Sequence, residues 1–270
     1  MLPYSIPESS VVKITARTAL KGRWCEAILA AFTGYFGTLI LTLSLSLGLL
    51  YKDTNLLIVV AVLALLFGIF VLSPLFLGIF RYFWRLTASI QDELRSVFYF
   101  FSDRSRYIRA IKLCFIMGWR IITAIFVCML PYVIVSALST DKLYMLIGRD
   151  IPIWAPSLNL VRAFLYLVGV VCAVIYVLRY YLVPVLVAIN DDMFLLEAVH
   201  TSSMVAKRSG GAFFRLAVSM LGWILLTNLI MPALYTLPLI FACYVVHCRF
   251  AMANYNLILD YYENNVGYYQ

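Results

Sequence analysis

The stretch LAVSMLGWILLTNLIMPALYTLPLIFACYVV, residues 216–246, contains no Asp, Glu, Lys, Arg or His over its 31 residues. A helix rises about 1.5 Å per residue, so about 20 apolar residues cross the hydrocarbon core of a bilayer. The stretch is too long for one crossing, and with its flanks it runs from about Ala212 to Leu257. It therefore predicts two membrane spans that turn near the sequence NLIMPAL, around Pro232.

The composition of the whole chain agrees with this prediction. Of the 270 residues, 64% are apolar and 13% are charged, and the mean hydropathy is +0.95. Soluble domains are typically about 45–50% apolar and about 25% charged. One soluble core cannot bury this excess of apolar side chains, so the composition excludes an ordinary soluble protein and predicts a single integral membrane domain over residues 1–270.

Four further apolar runs are long enough to cross a membrane. The first is 25 residues without a charge, which is longer than the apolar core of a cleaved signal peptide, at about 7–15 residues. We predict an all-α fold of six transmembrane helices in three hairpins, with units of approximately 9–80, 88–189 and 193–258. The four runs are Ala27–Tyr51, Leu56–Phe80, Leu113–Leu138 and Leu160–Tyr181, and the last continues past Pro184 to Ile189.

Basic residues are distributed unevenly between the segments that connect these spans. With six crossings, sixteen Lys and Arg residues fall on the side of the N-terminus, and three, Lys52, Lys142 and Arg149, fall on the other side. Cytoplasmic segments close to membrane spans carry such an excess of Lys and Arg. Both termini are therefore predicted to face the cytoplasm. Nucleic acid is a disfavoured partner, because the basic residues lie beside the spans instead of in a separate domain.

Three basic segments precede spans one, three and five, and each predicts an amphipathic helix on the cytoplasmic face. Such a helix lies in the membrane interface with its apolar side toward the lipid. Gly22 and Trp24 follow the first helix, where the chain turns into the membrane. In this first helix Val11, Val12, Ala16, Ala19 and Leu20 fall largely on one side, and Lys13, Arg17 and Lys21 fall opposite.

The second segment has a clearer apolar stripe with α-helical spacing, and the third has a weaker one. Asp191 and Asp192 are expected to begin the third helix, because acidic groups favour a helix N-terminus. Gly210 and Gly211 then predict a hinge before span five. The stripes are Ile90, Leu94, Val97, Phe98 and Phe101 in the second segment, and Leu195, Ala198, Val199, Ser202 and Val205 in the third.

The basic segments have two interpretations. They anchor the topology, or they form a cytoplasmic collar that binds anionic lipid headgroups or another amphipathic anion. Each Lys or Arg near an anionic membrane surface contributes about 1 kcal/mol to such binding. The candidate binding residues are Lys13, Arg17, Lys21, Arg104, Arg106, Arg109, Lys207 and Arg208.

Two motifs resemble a bacterial integral membrane family known as domain of unknown function 975. The motif A-R-x-x-L-K-G-x-W at Ala16–Trp24 is similar to the N-terminal signature of that family, and E-A-V-x-x-S at Glu197–Ser202 is similar to part of its second signature. The chain departs from the family at Arg208, where the family has Gly, and at Asp192–Met193, where it has Asn-Pro. The resemblance implies a multi-span protein of the bacterial cytoplasmic membrane and brings no established activity. A looser likeness, in helix pattern only, is to membrane domains attached to glycerophosphodiester phosphodiesterases.

Ionisable residues inside predicted spans are further candidates, because charges at membrane depth are costly and mark functional paths. Arg120 lies about 10 Å into span three at the helical rise, and Arg179 lies on the cytoplasmic half of span four. The two are candidates to line a cavity for an anion, with Asp191 or Asp192 as a counter-charge. The alternative is that each arginine extends along its aliphatic stem to the interface.

No catalytic or metal-binding pattern is present in the sequence. The six Cys include no CxxC pair, the two His, His200 and His247, are far apart, and no phosphate-binding P-loop occurs. We therefore expect no enzyme activity, no cofactor and no metal. The leading hypothesis is a non-enzymatic protein that binds or handles lipid or another amphipathic anion. The alternatives are a small-solute transporter or channel and an accessory subunit, with a membrane partner or a second copy of this chain as further partners.

Overall fold

The computed structural model describes residues 7–50, 54–90, 93–137, 155–227 and 229–266. Every regular element in these ranges is helical. Three of the basic residues used for the orientation, Lys52, Lys142 and Arg149, lie outside them. The α-helices are α1 (Ser9–Leu20), α2 (Trp24–Leu50), α3 (Thr54–Phe67), α4 (Ser73–Thr87), α5 (Arg104–Ala137), α6 (Ala155–Val177), α7 (Val183–Ile189), α8 (Leu195–Leu226) and α9 (Ile230–Val266).

The prediction of an all-α chain with six membrane-spanning helices is confirmed. Six helical stretches of the described chain are long and apolar enough to cross a bilayer. Helix α8 ends at Leu226 and α9 begins at Ile230, so Pro232, around which the sequence predicted the turn, lies in the first turn of α9. The stretches are Trp24–Gly48, Asn55–Thr87, Arg104–Ala137, Asn159–Ile189, Leu195–Leu226 and Met231–Asn256.

The chain packs as two compact units. The first unit combines Met1–Cys114 with Leu182–Gln270, and the second is Phe115–Tyr181. This packing groups all three basic segments in one unit. The division into three hairpin units at about 9–80, 88–189 and 193–258 stays a prediction.

Helix α9 is the centre of the first unit, where α1, α2, α4 and α8 all pack against it. More than half of the most apolar window of α9 is buried, against 22% or less in each of the other spans. The apolar stripe of α1 is part of this packing: Val12, Ala16 and Leu20 are fully buried in the same core as Leu239 and Val246 of α9. The apolar side of α1 therefore faces protein, whereas the sequence predicted that it faces lipid.

The second basic segment forms a 3-10 helix, Leu94–Phe101, so the prediction of an α-helix at this point is wrong. A 3-10 helix has three residues per turn, and its inward side accordingly follows Leu94, Val97 and Phe100. It lies so close to α4 that a Cβ at Gly78 would be 1.8 Å from the carbonyl oxygen of Val97. Phe98, which an α-helix would have buried, is exposed instead.

Pro74 is accommodated by a π-helical turn, Gly68–Leu72, between α3 and α4. Proline has no N–H and leaves the carbonyl four residues earlier without its usual helical donor. That carbonyl belongs to Phe70, and it accepts a hydrogen bond of 3.0 Å from the hydroxyl of Tyr107 in α5. The Ser73 hydroxyl donates to the carbonyl of Ala110 at 3.2 Å, so the π turn and the first residue of α4 are both joined to the first part of α5.

The third basic segment and span five form one uninterrupted helix, α8, of 32 residues. Its predicted apolar stripe is buried at Ala198, Val199, Ser202 and Val205. The predicted hinge at residues 210–211 is wrong, because α8 continues through both glycines. Helical hydrogen bonds constrain both residues there, although glycine would permit a break.

In the second unit, residues 115–137 of α5 pack against α6. Gly169 permits the close approach, because a Cβ at this position would lie 2.9 Å from the carbonyl oxygen of Cys128. Tyr132 and Tyr166 make an edge contact nearby, with 5.4 Å between ring centroids. Small residues commonly allow membrane helices to approach in this way.

Candidate anion-binding site

An open cavity of about 1010 Å³ lies beside the 3-10 helix in the first unit. Its volume is at the upper end of the range typical of small-molecule pockets. Three arginines and two glutamates contribute to the lining, which also includes aromatic rings and two serines. The lining residues are Arg23, Glu26, Arg85, Glu93, Arg95, Ser96, Phe98, Tyr99, Phe101 and Ser102.

The three arginines of the cavity come from three different elements. Arg23 follows Gly22, whose φ of +86° allows the sharp turn between α1 and α2. The Arg23 guanidinium donates to the carbonyl of Ile90 at 3.4 Å, which places it at the cavity. Arg85 lies in the last turn of α4, and Arg95 lies in the 3-10 helix. The fold thus brings together charges that are distant in sequence.

Apolar rings border these charges. Phe98 and Phe101 are 49% and 40% exposed, and their ring centroids are 6.3 Å apart. The cavity also has carboxylates: Glu26 accepts a hydrogen bond of 3.4 Å from the hydroxyl of the buried Tyr82. With three arginines against two glutamates, the charged lining is net positive by one. Basic and exposed apolar groups side by side match a phosphate headgroup joined to an acyl chain.

A second polar cluster lies next to the cavity and is centred on Asp191. Its carboxylate forms an ion pair of 3.4 Å with Arg81 and accepts a hydrogen bond from the Tyr99 hydroxyl. The guanidinium carbons of Arg81 and Arg106 lie 3.6 Å and 4.1 Å from the centre of the Tyr99 ring, where cation–π attraction stabilises them. We call Arg81, Tyr99, Arg106, Arg109 and Asp191 the Asp191 cluster.

Tyr99 remains a hydrogen-bond donor at neutral pH. Burial and the hydrogen bond to Asp191 raise the pKa of Tyr99 above its usual value near 10, although Arg81 and Arg106 act in the opposite direction. The phenol is therefore protonated under physiological conditions and continues to donate to the carboxylate. Because Tyr99 also lines the cavity, the cluster and the cavity share one side chain.

Arg109 holds the loop that follows α7. Its guanidinium donates to the backbone carbonyls of Asn190, Asp191 and Met193, the first of these at 2.7 Å. Arg81 adds a hydrogen bond of 3.0 Å to the carbonyl of Ala188, near the end of α7. Carbonyls at a helix C-terminus lack helical donors, and cations there are favourable.

The basic residues predicted to form the collar fall into two groups in the structure: some contact other parts of the chain, and the others are exposed. Arg106 and Arg109 belong to the Asp191 cluster, and Lys13 donates to the carbonyl of Ser219 in α8 at 3.2 Å. None of these candidates lines the cavity. The exposed candidates are Arg17, Lys21, Arg104, Lys207 and Arg208.

The two aspartates differ from their predicted role. Helix α8 begins at Leu195, so the prediction that Asp191 and Asp192 begin this helix is wrong. The ion pair that Asp191 makes in the described chain is with Arg81, whose charge had indicated only the orientation of the chain. Asp192 is exposed.

Arg120 and Arg179 lie in the second unit, and a pair of tyrosines links them. The Arg120 guanidinium donates to the Tyr180 hydroxyl at 3.4 Å, and the two tyrosine hydroxyls, of Tyr176 and Tyr180, are 3.0 Å apart. The guanidinium carbon of Arg179 lies 5.8 Å from the centre of the Tyr176 ring. The two arginines thus contact neighbouring members of one aromatic pair.

Sequence reasoning missed the basic residues that line the cavity. Arg23, Arg85 and Arg95 were counted only toward the orientation of the chain. A period of three in Leu94, Val97 and Phe100 was the available signal for the 3-10 helix. No group of three or more His, Cys, Asp or Glu residues in the described chain is arranged to hold a metal ion.

Comparisons with family models, curated proteins and solved structures return no match to this chain. A function for this chain is therefore inferred from its own residues and their geometry.

Proposed function

We propose that this chain is a non-enzymatic integral membrane protein that binds anionic lipids, or other amphiphiles with an anionic headgroup. The cavity beside the 3-10 helix is the proposed site. Arg23, Arg85 and Arg95 bind the headgroup, and Phe98 and Phe101 contact the first part of the acyl chain. The juxtaposition of three guanidinium groups with two exposed rings is the observation that supports this proposal.

Removing two of the cavity arginines tests the proposal. The double substitution Arg23→Gln and Arg95→Gln should weaken binding of phosphatidylglycerol roughly thirtyfold, because each basic residue contributes about 1 kcal/mol near an anionic headgroup. Binding is measured by titrating phosphatidylglycerol into the protein in uncharged detergent and counting bound lipids by native mass spectrometry. Phosphatidylcholine, which has no net charge, should bind more weakly and respond less to the substitutions.

The matched control removes the same charge elsewhere. Lys207→Gln with Arg208→Gln takes two exposed basic residues from α8, outside the cavity lining. This pair should change phosphatidylglycerol binding less than threefold, a change of well under 1 kcal/mol. Equal losses in the two double variants would contradict a defined site and favour a general electrostatic collar. No loss in either would remove the lipid proposal.

We place the protein in a bacterial cytoplasmic membrane with both termini in the cytoplasm. Six membrane-spanning helices and the excess of Lys and Arg on one side support this placement. Membership of the domain of unknown function 975 family, which the motifs at Ala16–Trp24 and Glu197–Ser202 suggested, stays a prediction.

Reporter fusions in a bacterial host test the orientation. Green fluorescent protein attached after Gln270 should fluoresce, because the reporter folds on the cytoplasmic side of the membrane. Alkaline phosphatase inserted between residues 139 and 154 should be active, because that enzyme needs the other side. The reverse pattern at the two positions would invert the topology. It would also place the cavity arginines away from the anionic cytoplasmic surface.

A further inference from the structure

The second unit carries a polar group within its membrane-spanning helices. Arg120 lies seven residues after Leu113, the predicted start of span three, about 10 Å along the helix axis. Its guanidinium donates to the Tyr180 hydroxyl at 3.4 Å, and the Tyr180 hydroxyl donates to that of Tyr176 at 3.0 Å. The guanidinium of Arg179 stands over the Tyr176 ring. Arg120 lies on α5 and Tyr176 at the end of α6, and Arg179 and Tyr180 lie in the 3-10 turn that follows it, Leu178–Tyr180.

The hydrogen bonds of this group form a chain in which Arg120 donates to Tyr180 and Tyr180 donates to Tyr176. A guanidinium has only donors, so the Tyr180 oxygen accepts from Arg120 and its own hydrogen is available for Tyr176. The Tyr176 oxygen accepts in turn, which leaves the Tyr176 hydroxyl hydrogen as the last donor of the chain. Among the described residues, Arg120 makes one hydrogen bond with its five N–H groups. The group therefore presents donors and positive charge, and the complementary ligand is an acceptor with negative charge.

Arg120 makes no ion pair among the described residues of the second unit, 115–137 and 155–181, which contain no Asp or Glu. A charge at membrane depth is costly unless it is paired. We infer that Arg120, Tyr180 and Tyr176 form a second binding site, for a phosphate group, separate from the cavity of the first unit. The phosphate comes from a phospholipid headgroup or from free inorganic phosphate. The inference does not depend on the proposed lipid cavity.

Loss of one hydroxyl group tests the inference with the least effect on packing. Tyr176→Phe keeps the ring and removes the terminal donor, and should weaken phosphate binding about tenfold, the value of one hydrogen bond to a charged group. Arg120→Gln should weaken it at least as much. Retained phospholipid is measured as phosphorus per chain after exhaustive washing in uncharged detergent. Binding of inorganic phosphate to the washed protein is measured by calorimetry.

Tyr132→Phe is the matched control. Tyr132 lies on the same helix pair, where its ring contacts Tyr166. This variant should retain phospholipid and bind phosphate like the wild type. Loss of retained phospholipid in Tyr176→Phe alone identifies a lipid headgroup, and a loss confined to inorganic phosphate identifies the free ion. Unchanged binding of both in Tyr176→Phe, or an equal loss in Tyr132→Phe, would overturn the inference.

Discussion

Replacing Gly78 with alanine should destabilise the first unit by about 3 kcal/mol or more, at the upper end of the cost of overpacked cores. A Cβ at this position would lie 1.8 Å from the carbonyl oxygen of Val97 and 2.7 Å from its carbonyl carbon. Both atoms are backbone, so no side-chain rotation relieves the clash. The 3-10 helix must move away from α4, and that movement exposes Val97 and Phe100, which are 1% and 0% exposed in the native protein.

The measurement is thermal unfolding of the purified protein in detergent, where 3 kcal/mol corresponds to a decrease in Tm of roughly 6–12 °C. Gly211→Ala is the control, because Gly211 is also inside a helix but a Cβ there meets no atom within 4 Å. Alanine is the better helix former by about 1 kcal/mol, so this variant should be as stable as the wild type or slightly more stable. A Gly78→Ala protein with an unchanged Tm would mean that the 3-10 helix does not lie against α4 as described.

The second large effect is expected at Arg109. Arg109→Gln should destabilise the protein by about 2–3 kcal/mol, because it removes a charged donor from three backbone carbonyls of residues 190–193. Water reaches part of this loop and replaces some of the lost hydrogen bonds. The loss of stability is therefore smaller than the summed value of three hydrogen bonds. Hydrogen–deuterium exchange should increase in the segment from Asn190 to Phe194, since the loop loses its anchor on α5.

Two further variants separate geometry from charge. Arg109→Lys keeps the charge but replaces a planar fork by a single ammonium, which cannot serve three carbonyls in the same way. It should recover only part of the lost stability. Arg104→Gln removes an exposed charge five residues earlier in α5 and should change the stability by less than about 0.5 kcal/mol. Equal effects of Arg104→Gln and Arg109→Gln would show that net charge matters and the loop contacts do not.

Both predictions concern contacts that hold the 3-10 helix in place. Its apolar side rests on α4 at Gly78, and Tyr99 joins it to Asp191 in the loop held by Arg109. Arg95, Phe98 and Tyr99 of the same helix line the cavity. Any change that releases this helix should therefore weaken lipid binding together with stability. Cavity substitutions such as Arg95→Gln should affect binding alone.

The basic segments show how far the sequence leads toward the site. Excess Lys and Arg beside the spans drew attention to the correct part of the chain, since the cavity and the Asp191 cluster are both built from these segments. The stripe Leu94, Val97, Phe98 and Phe101 fits an α-helix, but Leu94 and Val97 also fit a period of three. Packing against α4 selects the tighter helix, and Phe100 is buried instead of Phe98.

The sequence by itself determined the class of the protein and its number of spans. Transfer of a helix into a bilayer depends on about 20 contiguous residues, so it is a local property that can be read from the chain. Only the tertiary structure decided which arginines form ion pairs or hydrogen bonds within the chain and which line the cavity. Asp191 pairs with Arg81 across 110 residues of sequence and its carbonyl accepts from Arg109 across 82. An ion pair requires its groups to be within a few ångströms, and that proximity arises from helix packing.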